Sequence, residues 1–109
     1  MDSTPLKNVE VREERLPGDS ILLHYPVSLR PWIAKILRRS TGDASAIRFR
    51  KLQLDGLGSE VWDLLDGVRS VRRIIEIFAA SHQLPQREVE IAVTQFLRQL
   101  GRRGIIGFQ

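Results

Sequence analysis

Apolar residues recur at helical spacing three times in the C-terminal half of the chain. The first stripe consists of Leu57, Val61, Leu64 and Leu65, at positions i, i+4, i+7 and i+8. Asp55 is placed to cap this helix, and Trp62 lies beside the stripe, where we expect it to be buried. Gly67 follows as a left-handed C-cap candidate. The pattern predicts a short amphipathic helix after a strand-to-helix corner.

Two further helices follow the first. The second is capped by Ser70, and its stripe consists of Val71, Ile74, Ile75 and Phe78. The third begins near Pro85 and ends at Gly104. Its inward residues are predicted to be Val89, Ala92, Val93, Phe96, Leu97 and Leu100. Residues 105–108 are too short for anything but a return strand or a tail packed on the core.

Strands are predicted upstream of these helices. Ser20 to Tyr25 is an apolar and aromatic run bounded by Gly18 and Pro26, which is typical of a strand. Residues 46–54 alternate in polarity, but the phase slips by one residue at Arg50-Lys51. A side-chain period of two predicts a bulge or bend there. A basic, bulged strand is typical of a sheet edge.

The rest of the N-terminal half has weaker patterns. Residues 1–18 are polar and are predicted to be a poorly ordered, flexible arm, which leaves residues 19–109 as one domain. Residues 28–39 favour a helix of one or two turns, with a strand as the alternative, and residues 40–45 favour a loop. The predicted fold class is α+β: short N-terminal antiparallel strands followed by three helices, in the manner of a winged helix-turn-helix.

Composition narrows the possible chemistry. The 109 residues include no cysteine, which excludes disulfides, thiolate metal sites, cysteine nucleophiles and an iron–sulfur cluster bound by this chain. His24 and His82 stand without other ligands at metal-binding spacing, and Gly56 and Gly58 fit a corner better than a phosphate loop. We therefore expect no enzymatic activity, cofactor or metal. No apolar run is long enough to cross a bilayer and no signal peptide is recognisable, so a cytoplasmic protein is expected.

Charge and exposure suggest a binding role. The net charge is +4, and the segment from Arg30 to Lys51 is strongly basic, which is consistent with an acidic partner or with an ordinary solvated surface. The third helix presents Ile91 on its outward face among cations; this residue is either incidental or part of a ligand groove. Glu88 and Glu90 in its first turn would oppose a duplex backbone, so nucleic acid is a disfavoured partner.

The chain from about Ser20 to Phe108 resembles the PqqD family. The most specific part is the Leu54-Asp55-Gly56-Leu57-Gly58 corner with Trp62 and the closing Asp66-Gly67. Ser70 to Ile75 and Phe96 to Ile106 are more generic. The resemblance implies a domain that binds the leader part of a ribosomally made precursor peptide and presents it to a modifying enzyme, often a radical S-adenosylmethionine protein.

The resemblance also implies a site. In that family the peptide adds as a strand to the strand before the first helix and touches the third helix. By position, the expected peptide-binding residues are Ile47, Arg48, Phe49, Arg50, Lys51, Leu52, Arg87, Ile91, Thr94, Gln95 and Arg98. An insertion at residues 26–45 leaves open which strand is the free edge. The alternatives are a winged-helix DNA-binding protein and a non-catalytic subunit that stabilises an enzyme complex.

Overall fold

A computed structural model describes residues 2–26 and 49–109 of the chain. The described elements, in order, are β1 (Pro5–Lys7), β2 (Arg12–Leu16), β3 (Ser20–Pro26), β4 (Phe49–Leu54), α1 (Gly56–Leu64), α2 (Val71–His82), α3 (Gln86–Arg102) and β5 (Ile106–Phe108). This arrangement of antiparallel strands and three helices confirms the predicted α+β class. The predictions for residues 28–39 and 40–45 lie outside the described residues.

The strands form two antiparallel sheets. One contains β2, β3 and β4 in that order, and the other pairs β1 with β5. Strand β3 confirms the prediction for Ser20 to Tyr25, and its alternation places Ile21, Leu23 and Tyr25 in the core. The tail after α3 is a return strand, and its partner is the N-terminal β1.

Side-chain caps set the starts of the first two helices. Asp55 Oδ1 accepts a hydrogen bond of 2.7 Å from the backbone N–H of Gly58, and Ser70 Oγ accepts one of 3.1 Å from that of Arg73. Both caps are those predicted from the sequence. Gly67 has the expected positive φ of 80°, but α1 ends at Leu64, so Gly67 lies in the connecting loop and not at the C-cap.

The three helices and the inner face of β3 enclose one hydrophobic core. Fully buried residues come from every helix and from the chain end: Trp62, Ile74, Ile75, Leu97, Leu100 and Ile105. The burial of Trp62 confirms the sequence prediction. Such close packing around a large aromatic residue means that the corner before α1 is held by the core as well as by its cap.

The N-terminal segment departs from the flexible arm predicted for residues 1–18. It contains β1 and β2, and Pro5 is fully buried. Thr4 and Gln109 exchange backbone hydrogen bonds of 3.2 and 2.9 Å, which extend the β1–β5 pairing. The prediction was wrong for these strands because β2 is polar and gives no period-two signal, and because β1 is short and pairs with β5 at the far end of the chain.

The bulge predicted at Arg50-Lys51 is also absent from the described strand. Between residues 49 and 54, β4 pairs with β3 one residue to one, from Pro26↔Phe49 to Ile21↔Leu54. Phe49 is 53% exposed, on the face opposite Leu52 and Leu54. The hydrophobic pattern shifts by one residue because Phe49 lies on the outer face of the sheet, while Leu52 and Leu54 lie on the inner face. No extra residue is inserted between residues 49 and 54.

Candidate functional site

An open apolar groove of about 510 Å³ runs between β4, α1 and α3. The residues that line it are Leu52, Gln53, Leu54, Asp55, Leu57, Gly58, Val61, Phe78, Leu84, Glu88, Val89, Ala92, Val93, Phe96, Gln99 and Leu100. Apolar side chains dominate this set. A mostly apolar concave surface with a few polar groups is the usual form of a binding site in a protein.

Two side chains in the groove are exposed although they are large and apolar. Leu57 is 56% exposed and Leu84 is 45% exposed. Leu57 was predicted from the sequence to belong to the core stripe of α1, and this prediction was wrong. Leu57 is the second residue of α1, one turn before Val61, and here the helix borders the groove and not the interior. An aliphatic side chain in this position is available to a ligand.

Helix α3 presents two adjacent stripes. Val89, Val93, Leu97 and Leu100 are buried in the core. The neighbouring stripe, Glu88, Ala92, Phe96 and Gln99, faces the groove. Ala92 and Phe96 were predicted to point into the core; Ala92 is exposed and Phe96 is only half-buried. The helix is therefore rotated so that part of its apolar face is open to solvent.

A glycine allows α1 and α3 to approach closely beside the groove. A Cβ atom at Gly58 would lie 3.3 Å from Cε2 of Phe96 and 3.2 Å from Oδ1 of Asp55. Both distances are tighter than ordinary van der Waals contact. The glycine in the Asp55-Gly56-Leu57-Gly58 corner thus has a direct structural purpose, because it lets the ring of Phe96 pack on the first turn of α1.

Strand β4 forms one side of the groove and is an edge strand of the described three-stranded sheet. Its inner neighbour is β3, so alternate backbone groups of β4 face away from the sheet. Edge strands that are not covered can pair with another extended chain. The groove therefore combines an apolar surface with a backbone ladder along one side.

Several charged side chains outside the groove stabilise the fold. Arg15 forms an ion pair of 2.7 Å with Asp63, and hydrogen bonding to that carboxylate raises the pKa of Arg15. Asp66 Oδ1 accepts hydrogen bonds from the backbone N–H groups of Val68 and Arg69. These bonds, that of Arg69 foremost, lower the pKa of Asp66. Both carboxylates are structural.

The predicted peptide-binding residues are divided by the structure. Leu52 lines the groove, whereas Phe49, Arg50 and Lys51 belong to β4 without lining it. Ile47 and Arg48 lie outside the described residues. The predicted α3 residues Arg87, Ile91, Thr94, Gln95 and Arg98 do not line the groove. Thr94 and Arg98 instead border a separate cavity of about 410 Å³, beside Phe108.

Sequence reasoning missed the groove residues Leu57, Leu84, Ala92 and Phe96. They have the spacing and polarity of core residues, so the pattern alone does not distinguish them. The close approach of Gly58 to Phe96 distinguishes the groove-facing stripe of α3 from the buried one. This contact joins two helices, so it is seen only in the tertiary structure.

The described residues hold no cluster of three or more histidine and carboxylate side chains placed to bind a metal ion. His24 lies 3.2 Å from Glu14, and His82 contacts Glu60. Each histidine thus has one carboxylate partner on a neighbouring element. Among the described helices, none has both the length and the apolar character needed to span a membrane.

Comparison with known proteins gives a family and a fold. The family described as coenzyme PQQ synthesis protein D (PqqD) matches residues 49–106, which is more than half of the chain. A solved structure of TbiB1 in complex with the TbiA(beta) leader peptide is similar, with a TM-score of 0.64 and 21% identity over 93% of each chain. No curated protein matches the sequence significantly. The structural likeness covers strands that the family match does not include.

Proposed function

The chain belongs to the PqqD family, and from that premise we propose that it binds the leader segment of a ribosomally made precursor peptide and presents it to a modifying enzyme. The observation that carries this proposal is the open groove between β4 and α3. It offers apolar contacts on its helical side and backbone hydrogen bonds on its strand side. An extended peptide requires this combination.

The proposed binding mode is strand addition to β4. Backbone hydrogen bonds supply the register, and side chains at alternate positions of the peptide enter the groove toward Leu57, Leu84 and Phe96. TbiB1, whose fold is similar, was solved with a leader peptide, which supports a peptide as the ligand of this chain. The contacts proposed here lie on the groove side of α3, whereas the helix residues predicted from sequence lie outside the groove; Leu52 belongs to both sets.

The modifying enzyme is proposed to be a radical S-adenosylmethionine protein, and the chain itself to be non-catalytic. The family resemblance supports both proposals. Because the chain has no cysteine, a cysteine-bound iron–sulfur cluster would belong to the partner enzyme. Since the proposed ligand is made by ribosomes, we propose that the chain acts in the cytoplasm. Co-purification of the chain with a radical enzyme encoded nearby, in the presence of the precursor, tests the choice of partner.

Calorimetric titration with the leader segment of a precursor encoded nearby tests the site. Leu57→Asp places a carboxylate where an apolar side chain of the peptide is expected, so affinity should fall about tenfold or more. Because Leu57 is more than half exposed, the variant should fold like the parent.

Val68→Asp is the matched control, since Val68 is 82% exposed and does not line the groove. It should bind the leader as tightly as the parent does. Equal losses in both variants, or no loss in Leu57→Asp, would show that the groove is not the peptide site.

A further inference from the structure

Two basic residues lie beyond one end of the groove without lining it: Arg50 on β4 and Arg103 just after α3. Nη1 of Arg103 donates a hydrogen bond of 2.8 Å to the hydroxyl of Tyr25. Tyr25 is paired directly with Arg50 of β4, so these two side chains share one face of the sheet. Arg50 also lies on the same face as Leu52, which lines the groove. Arg50 and Arg103 are thus both neighbours of Tyr25, beyond the Leu52 side of the groove.

The opposite end is acidic. Glu88 lines the groove in the first turn of α3, fifteen residues before Arg103. At about 1.5 Å per residue, the two positions are about 22 Å apart along the helix axis. Asp55, at the C-terminal end of β4, is the other carboxylate among the lining residues, and these residues include no cation. Along α3, the charge thus changes from acidic at Glu88 to basic at Arg103.

The charges at the two ends are available to a ligand. In the described part of the chain, no ion pair involves Arg50, Arg103 or Glu88. The carboxylate of Asp55 already caps α1 through the N–H of Gly58. The separation of Arg103 and Glu88 exceeds the screening length of about 8 Å at physiological salt, so each end acts on the ligand separately. The apolar middle of the groove lies between them.

We propose that the groove selects a charge-polarised peptide: acidic side chains beside Arg50 and Arg103, apolar side chains in the middle, and basic side chains beside Glu88. An extended strand rises about 3.3 Å per residue, so the opposite charges of the ligand are six or seven residues apart. This inference rests on the proposed function and refines it. The basic segment of the sequence suggested an acidic leader. A leader that is acidic throughout would be attracted to the basic end only.

Synthetic peptides test the proposal directly. Four peptides share the same apolar centre and differ only in their charged ends. Two are polarised, with a Lys cluster at one end and a Glu cluster at the other, in opposite orders. The other two carry Glu clusters at both ends or Lys clusters at both ends. One polarised peptide should bind about fivefold or more tightly than the other three, because reversal turns two attractions into two repulsions. The preferred order also gives the direction of the peptide: a basic N-terminal end means that it runs antiparallel to β4.

Charge reversal in the protein supplies the second arm. Arg50→Glu combined with Glu88→Lys should remove the parental preference between the two polarised peptides, because Arg103 still offsets the new carboxylate at the basic end. Added salt should weaken that preference in the parent. Glu76→Lys is the control for the change of charge, because Glu76 is on α2, pairs with Arg73 and does not line the groove. It should keep the parental order of affinities.

Two possible results distinguish a failure of this inference from a failure of the proposed peptide-binding function. If all four peptides bind equally and Leu57→Asp weakens each of them, the groove binds peptides without regard to their charge polarity. In that case the charge inference is overturned and the proposed peptide site is retained. If no peptide, nor the leader itself, is sensitive to Leu57→Asp, both the inference and the proposed peptide site are overturned.

Discussion

The indole Nε1 of Trp62 donates a hydrogen bond of 2.7 Å to Oε1 of Glu13, joining α1 to the N-terminal strand β2. The Nζ atom of Lys7 lies 4.4 Å from the centre of the same indole ring and 3.4 Å from Glu13. Trp62 itself is fully buried. The N-terminal segment therefore covers the tryptophan and satisfies its only polar atom, which makes β1 and β2 part of the fold.

Trp62→Ala should lower the free energy of unfolding by about 3–5 kcal/mol, because it removes a large aromatic side chain from a packed core. Urea denaturation of the parent and the variant measures the change. The variant should retain leader binding at a temperature where it is folded. A variant that unfolds like the parent but has lost its ligand would show that Trp62 is a contact residue and not a core residue.

The sequence predicted the burial of Trp62 but not what covers it. Helical spacing and the caps at Asp55 and Ser70 are local signals, and they predicted the starts of the helices correctly. The predicted ends at Gly67 and Gly104 lie past the observed ends of α1 and α3. The role of residues 5–16 depends on the pairing of β1 with β5, about 100 residues away, and on the hairpin of β2 with β3. Neither the three-residue β1 nor the polar β2 carries an apolar periodicity of its own that would predict a strand.

Gly67→Ala should destabilise the protein by about 1–2 kcal/mol, since a side chain at φ 80° is strained and its Cβ would lie 3.4 Å from Leu6. Gly56→Ala is the matched control, because its added methyl group would have no atom within 4 Å and its φ is not positive. Thermal unfolding of the two variants makes the comparison. Similar losses would mean that backbone strain at Gly67 is not the cause.

Asp66 should make stability depend on pH in the acid range. Its carboxylate is favoured in the folded state, so its pKa there is lower than the ordinary value of 3.8. Its contribution is thus complete above the ordinary pKa and is lost as the pH falls through the lowered one. The difference in unfolding free energy between the parent and Asp66→Asn should be constant near neutral pH and shrink below 3.8. A difference that grows in acid would contradict this sign.

Ile91→Asp should bind the leader as the parent does. Ile91 is 48% exposed but lies outside the groove, on the side of α3 that the sequence analysis assigned to the ligand. Titration of Ile91→Asp beside Leu57→Asp compares the two surfaces directly. A loss confined to Ile91→Asp would favour the face predicted from sequence over the groove.

The site was only partly predictable because α3 carries more apolar surface than the core uses. Helical periodicity identified the stripe but assigned Ala92 and Phe96 to the interior together with Val93 and Leu97. Which members of a wide stripe remain open depends on the angle at which α1 packs against α3. Contact between Gly58 and Phe96 helps to set that packing, and it cannot be derived from spacing alone.

Amide hydrogen exchange of β4 tests the central claim most directly. Successive residues of an edge strand point their N–H groups to opposite sides, so only every second amide from Phe49 to Leu54 is bonded to β3. The exchange rate of each amide is measured in the free protein and with saturating leader peptide. Residues whose amides exchange fast in the free protein are those that face the open edge.

Strand addition predicts that the fast-exchanging amides of β4 become protected when the peptide binds, in an alternating pattern along the strand, while the slow ones change little. The outer edge strand β2 serves as the internal reference and should show no such change. Protection confined to β2, or a bound peptide that leaves every β4 amide at its free rate, would contradict binding by strand addition to β4.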